Sequence, residues 1–392
     1  MKKIQPASRV SSVQEYYFSK KLRELALLNS RGADIISLGI GGPDLPPGKE
    51  VVDTLAFEAA KPGNHSYQSY IGIPELRQAF AEWYLRKYGV VLNPENEILP
   101  LIGSKEGILH ISMAFLNPGD GVLVPDPGYP TYSSVSRLVG AEIFTYDLTE
   151  ENSWLPDFPS LEKLPLERIK LMWVNYPHMP TGKQAEMDTF KKLVEFGKRH
   201  GIVIAHDNPY SFILNKDPHS ILQIDGALDV CVEMNSLSKS HNMAGWRVAM
   251  AASNPEFISW IIKVKSNIDS GQFKPVMLAA AKALSLPDSW YENLYKVYNE
   301  RRRIAEEIME ELGCDYDPMQ RGLFLWGKVP SEFKNGEWLA DRLFYDAKVF
   351  VTPGFIFGKN GNDYIRISLC AKPEKLSEAY KRIKNWKKEK NI

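Results

Sequence analysis

The chain has 392 residues, 44% of them hydrophobic and 24% charged, and its 48 Lys plus Arg balance 48 Asp plus Glu to a formal net charge of zero. That length exceeds what one growing core accommodates, so two lobes are expected, and a neutral chain has no bulk field to gather nucleic acid or an anionic membrane. Cys231, Cys314 and Cys370 are too few and too far apart for a disulfide framework or a paired metal set, and no segment has the apolar length of a signal-peptide core or a membrane span. A cytoplasmic protein without a bound metal is expected.

Val13, Tyr16, Tyr17, Leu22, Leu25 and Leu28 recur at helical intervals before the stop Arg31-Gly32, which predicts an amphipathic helix within residues 1–34. A loop rich in Gly and Pro follows, Leu38 to Gly48 (LGIGGPDLPPG), in which bare backbone can approach a ligand. The aromatic turn of HSYQSYIGIPELR, residues 65–77, precedes a helix opened by Pro74 and Glu75 that runs to Lys87. After a short strand over Glu97–Ile102, Gly103-Ser104-Lys105 opens a helix through Leu116. Free amides, the positive end of the helix dipole and a cation converge there, a pattern that fits a phosphate cradle as well as an ordinary capped helix start.

Strands are predicted over Val122–Asp126, Ala141–Leu148, Lys170–Tyr176 and Ile202–Ala205, with a helix from Ala185 to His200. The first ends in DPGYPTY, whose Tyr129 and Tyr132 are each able to stack on a flat ring or to pack in the core. The third ends in the Pro-rich turn NYPHMPTG, Asn175 to Gly182, and the fourth in HDNPY, His206 to Tyr210. Asp207 follows apolar residues closely, so it needs a partner or a helix to cap. Strands alternating with helices from residue 97 to 253 predict a doubly wound, mainly parallel sheet. Helices over Pro255–Ser266, on to Leu286 and over Asp288–Gly313 lead to strands at Leu323–Lys328, Val349–Thr352 and Tyr364–Leu369. These interleave with helices at Glu337–Ala347 and Glu374–Lys390, a smaller α/β lobe. Arg366, inside the last strand, is suited to grip a carboxylate bidentately or to pair with a core acid.

The segment Asn235 to Arg247, NSLSKSHNMAGWR, follows the apolar run Val230–Met234, so Lys239 falls just past a strand end, where open α/β sheets place ligands. A lysine there is either a solvated loop residue or, if desolvated, an amine able to form an imine with an aldehyde. Ser236, Ser238 and Arg247 around it are the donors a phosphate ester requires. Jointly, the fragments form one apparatus: an imine lysine, a carboxylate, phosphate donors, an aromatic plate and a carboxylate-binding arginine.

From LGIGGPD to YIRIS the motifs resemble, in order, those of the class I aminotransferases, the aspartate aminotransferase superfamily of pyridoxal 5′-phosphate enzymes with fold type I. GSKEGI and DPGYPTY look most like the branch with LL-diaminopimelate, alanine, methionine and aromatic aminotransferases. The resemblance implies a large domain over 47–285 with the mainly parallel doubly wound sheet, and a smaller α/β domain from 1–46 and 286–392. It implies that Lys239 holds the cofactor aldehyde and carries the proton, Asp207 pairs with the ring nitrogen and Tyr210 with the phenolic oxygen. Ser104, Lys105, Ser236, Ser238 and Arg247 would surround the phosphate, with Tyr129 over the ring and Asn175 among the cofactor contacts. Arg366 and Gly41 would hold the α-carboxylate of an amino acid or 2-oxo acid, with Tyr129 beside it. Tyr67 would reach the phosphate of a neighbouring subunit, so a homodimer is implied.

One position departs from the family. Where it has Asn before Pro-Thr-Gly, this chain has Met179, and a thioether cannot donate to the phenolic oxygen. The imine on Lys239 is therefore expected to titrate at higher pH than with asparagine, and His178 is the neighbouring group able to replace the missing donor. Transamination is the favoured reaction, with a carbon–sulfur β-lyase as the alternative on the same scaffold. A non-catalytic regulator is disfavoured, because the residues before Leu38 have no helix-turn-helix signal.

Overall fold

Apolar runs broken by Gly, Pro and Asp form the strands where the sequence places them. The computed structural model describes residues 3–13, 15 and 17–391. In chain order its strands are β1 (Ile36–Ser37), β2 (Ile98–Leu101), β3 (Gly121–Asp126), β4 (Glu142–Asp147), β5 (Ile169–Val174), β6 (Val203–Asp207), β7 (Cys231–Ser236), β8 (Ala249–Ala252), β9 (Phe324–Lys328), β10 (Val349–Phe350), β11 (Thr352–Pro353) and β12 (Tyr364–Ser368).

The large sheet has the order β2-β8-β7-β6-β5-β3-β4, parallel throughout except for β8, which runs antiparallel to both neighbours. Its strands are buried on both faces, which explains why they read as continuous apolar runs. Along β5, Leu171 and Trp173 pack with Ile108, Ile111, Ile258 and Ile261 on one face, while Met172 and Val174 join Phe190, Leu193 and Phe196 on the other. β6 and β7 are further locked by a buried hydrogen bond, His206 Nδ1 lying 2.8 Å from Glu233 Oε2. Glu233 also accepts hydrogen bonds from Tyr84, Ser220 and the Ile221 amide, so the buried carboxylate is fully satisfied. The lock holds the register of the two strands whose ends carry Asp207 and Ser236.

The second core is built from both chain ends. β9, β12 and β11 form an antiparallel sheet, and β1 pairs in parallel with β10. The helix Asp288–Glu311 packs its Leu294, Tyr298, Ala305, Ile308 and Met309 into this core alongside the helix Pro373–Lys390. Arg301 on the long helix makes a bidentate pair with Asp44, at 2.6 and 3.0 Å, and donates to the Leu369 carbonyl. This clamp fixes the Gly- and Pro-rich loop on which Gly41 stands.

Two local expectations are corrected. The amphipathic helix runs from Tyr17 to Ser30 and is preceded by a separate turn of helix at Ser8–Ser11, so Val13 lies outside it, and Tyr16 lies outside the described residues. The strand expected over Val349–Thr352 is two strands, because its first half pairs with β1 and its second with β12, and the chain changes sheet at Val351. Among the described residues no helix is long and apolar enough to cross a membrane.

Candidate active site

The carboxyl ends of β2, β3, β5, β6 and β7 face one cavity of about 530 Å³, closed on the far side by β9 and β12 of the second core. Ser104, Lys105, Tyr129, Asn175, Asp207, Tyr210, Ser236, Ser238, Lys239, Arg247, Arg366 and Gly41 all line it. The sheet thus brings together residues spread over most of the chain, at the position where parallel α/β sheets bind ligands. Tyr67 stands apart, 89% exposed and outside this cavity.

At one end, Gly103 adopts φ +85° and opens the helix Ser104–Phe115. A Cβ on Gly103 would lie 1.8 Å from Arg247 Nη2, so only glycine admits the guanidinium here. Arg247 has φ +58°, a strained backbone for a non-glycine residue, and donates to Ser238 Oγ and the Ala244 carbonyl. Ser236 Oγ is 2.9 Å from Ser238 Oγ. Two serine hydroxyls, a guanidinium and a helix N-terminus converge there, a donor set for a phosphate ester.

In the middle, Asp207 ends β6 and is almost wholly buried. Tyr132 donates to its Oδ2 at 2.9 Å, while Oδ1 has no hydrogen-bond partner. Burial pushes its carboxyl up to about 6, against the lowering effects of Tyr132, His206 and Lys239. Burial and the neighbouring Asp207 raise the Tyr132 phenol far above its ordinary range, so it remains a donor. Tyr132 is a site residue that the sequence reading left as one of two stacking candidates. It lies flat on Trp173, with centroids 5.0 Å apart and planes 6° apart, while Tyr129 meets it edge-on. The Tyr210 phenol is likewise pushed up by burial. Lys239 Nζ donates to the Gly41 carbonyl at 2.5 Å, and burial lowers the pKa of its amine.

Asn175 lines the cavity with its carboxamide engaged as a brace, donating to the Asp207 carbonyl and accepting from the Met179 amide. Met179 turns its thioether to Arg366, with Sδ 3.1 Å from Nη1. Arg366 also donates to the Gly39 carbonyl, and its guanidinium lies 3.8 Å over the Phe324 ring. His178 does not take over from Met179. It is buried outside the cavity with Nδ1 2.8 Å from Thr181 Oγ1, and desolvation lowers its pKa to about 3. The apolar wall of Phe18, Leu22, Phe324 and Phe357 is the other part the sequence reading missed. These side chains have no chemical signature, and only the fold brings the first helix to the cavity.

A family model for aminotransferases of class I and II matches residues 33–383. The chain belongs to this family. Similar proteins include the LL-diaminopimelate aminotransferases of Aquifex aeolicus (strain VF5), 42% identical over 97% of this chain and 99% of the relative, and of Moorella thermoacetica, 40% identical over 97% and 98%. Among solved structures, substrate-bound BacF from Bacillus subtilis is similar with a TM-score of 0.92 at 36% identity, covering 98% of both chains. The aromatic aminotransferase of Pyrococcus horikoshii OT3 is similar with a TM-score of 0.89 at 27% identity, covering 98% of this chain and 99% of that one. The aminotransferase has fold type I, uses pyridoxal 5′-phosphate, and moves an amino group from an L-amino acid to a 2-oxo acid. Its cavity fits that cofactor in chemistry: a buried carboxylate oxygen without a partner, a glycine-lined anion cradle and an enclosed amine stand in one space.

The departure at Met179 makes a prediction. In Met179→Asn the bound cofactor's absorbance should change at lower pH than in the native aminotransferase, because asparagine restores a donor to the phenolic oxygen. A spectroscopic pH titration of the two proteins measures this, and coincident midpoints would exclude the effect.

Proposed function

We propose that Lys239 is the amine that carries the cofactor and then the substrate proton in this aminotransferase. The observation that carries the reading is the joint enclosure of Lys239, Asp207 and the Arg247 cradle in one cavity. Pyridoxal 5′-phosphate, when bound, supplies an aldehyde for that amine and a ring that accepts electrons. Ser104, Lys105, Ser236, Ser238 and Arg247 would hold the phosphate, and Tyr129 would lie against the ring. Asp207 would hold a proton at the ring nitrogen, Tyr132 positions Asp207, and Tyr210 would donate to the phenolic oxygen. Arg366 binds the α-carboxylate at one end of the cavity, which aims the α-hydrogen at Lys239. Lys239 would take that proton from the α carbon and hold it for return, so one base would serve both transfers. Asn175 braces the loop beneath Met179.

The same reading divides the chain into a large domain over 47–285 and a small one from 1–46 and 286–392. It makes the protein a homodimer in which Tyr67 enters the neighbouring copy's cavity. Support comes from a contiguous exposed face: Tyr67, Tyr70 and Ile71 on one loop lie beside Ile268 and Phe273 on another, tied by Lys265 donating to the Tyr70 carbonyl. A cytoplasmic location accords with three buried free thiols. Sedimentation of the purified protein should give twice the 44.5 kDa chain mass. Scoring new amino acid against released ammonia, with several 2-oxo acids as acceptors, should give transamination; ammonia without new amino acid would establish a lyase instead.

A further inference from the structure

We infer that the amino donor of this aminotransferase has an uncharged, bulky apolar side chain, and that LL-diaminopimelate, charged at its distal end, is a poor substrate. The inference rests on the residue roles proposed above and on where the cavity keeps its charges. Each charged side chain lining the cavity already has a place in that scheme: Lys105 and Arg247 at the phosphate, Asp207 at the ring nitrogen, Lys239 at the reacting carbon, Arg366 at the α-carboxylate. Among the described residues of one chain, none in this lining is left to meet a second charged group on a substrate.

What surrounds the carboxylate anchor is hydrocarbon. The Arg366 guanidinium carbon lies 3.8 Å from the Phe324 ring centroid, 4.7 Å from that of Phe357 and 5.7 Å from that of Phe18. Met179 covers Nη1 with its sulfur, and Leu22 and Ile40 complete the mouth. The position where the family has an asparagine is thus apolar as well. The loop proposed to reach a neighbouring copy, residues 65–72 (HSYQSYIG), has no Asp, Glu, Lys or Arg. Its exposed members are His65, Ser66, Tyr67, Ser69, Tyr70 and Ile71, so the loop carries no carboxylate, ammonium or guanidinium toward a neighbouring copy.

Against such a wall a distal ammonium and carboxylate lose their hydration without gaining partners. A phenyl or isobutyl group gains burial, and each methylene is worth roughly tenfold in discrimination. Substrate choice within one fold is decided by these few wall residues, so full-length identity to LL-diaminopimelate enzymes does not transfer their substrate.

Calorimetric titration of the holoenzyme with 3-phenylpropionate and with pimelate, two carboxylates without an amino group, reads the wall without turnover. At least about tenfold tighter binding of 3-phenylpropionate is expected, and equal or tighter binding of pimelate overturns the inference. In single-turnover mixing, the bound cofactor's absorbance should respond about 100-fold more efficiently to L-phenylalanine or L-leucine than to LL-diaminopimelate. The reverse order, with amino transfer intact, overturns the inference alone; no response to any amino acid overturns the proposed function with it. Leu22→Ala should lower the ratio of L-leucine to L-alanine efficiency about tenfold, and an unchanged ratio counts against this wall as the side-chain site.

Discussion

Lys239→Ala should abolish amino transfer, lowering turnover at least about 10⁴-fold, since an imine-forming amine and a general base are lost together. The cavity's other lysine, Lys105, is exposed at the helix start on the phosphate side and is not placed to replace it. Burial lowers the pKa of the Lys239 amine, which raises its neutral, nucleophilic fraction near pH 7 relative to a solvated lysine. Lys239→Arg should therefore be as inactive as the alanine variant, because a guanidinium stays protonated and forms no imine. Borohydride reduction followed by mass spectrometry should find the cofactor fixed to residue 239 in the native protein and to nothing in either variant. An alanine variant retaining more than about a hundredth of native turnover would remove Lys239 from both roles.

Asp207→Asn should lower turnover on the order of 10²- to 10⁴-fold while leaving the fold intact. The amide is isosteric and keeps a contact with Tyr132, but it cannot stabilise a proton on the ring nitrogen. The pH dependence separates this from a packing defect. Burial raises the Asp207 carboxyl to about 6 in the cofactor-free protein, so cofactor affinity should weaken as pH falls below about 6, and the asparagine variant should lack that dependence. Stability moves the other way. A carboxyl with a folded pKa above its unfolded value keeps its proton longer when folded, so folding loses stability as pH rises from about 4 through about 6. At pH 7 that penalty is of the order of 3 kcal/mol for such a shift. The cofactor-free Asp207→Asn protein should therefore melt higher than the native one at pH 7 and show little advantage near pH 4. A lower melting temperature at pH 7 would show that Asp207 does not bear an unfavourable buried charge. The opposite effects on turnover and on stability are what a site residue held for chemistry rather than for folding predicts.

The polar machinery was readable in the sequence because each part occupies a strand end flagged by its own punctuation. Asp207 follows an apolar run, Lys239 and Ser236 follow another, and Gly103-Ser104 marks a helix start; the order of these motifs identified the apparatus. Tyr132 shows where that reading stops. Its motif offered two tyrosines with equal claims, and only the sheet order, which sets β3 one strand away from β6 across β5, aims one hydroxyl at Asp207 and turns the other ring edge-on to it. Asp44 was likewise a letter in a loop until the long helix brought Arg301 to it.

By itself, then, the sequence determined the alternation of strands and helices, the positions of the titratable groups and the cofactor they suit, because these depend on local periodicity and side-chain chemistry. Tertiary structure alone decided that Met179 lines the cavity with its sulfur on Arg366, that His178 is turned away, and that Phe18 and Leu22 share the cavity wall with Phe324 and Phe357. Apolar contacts have no directional signature and join segments hundreds of residues apart, so the shape of the substrate's end of the cavity arises only when both ends of the chain pack together.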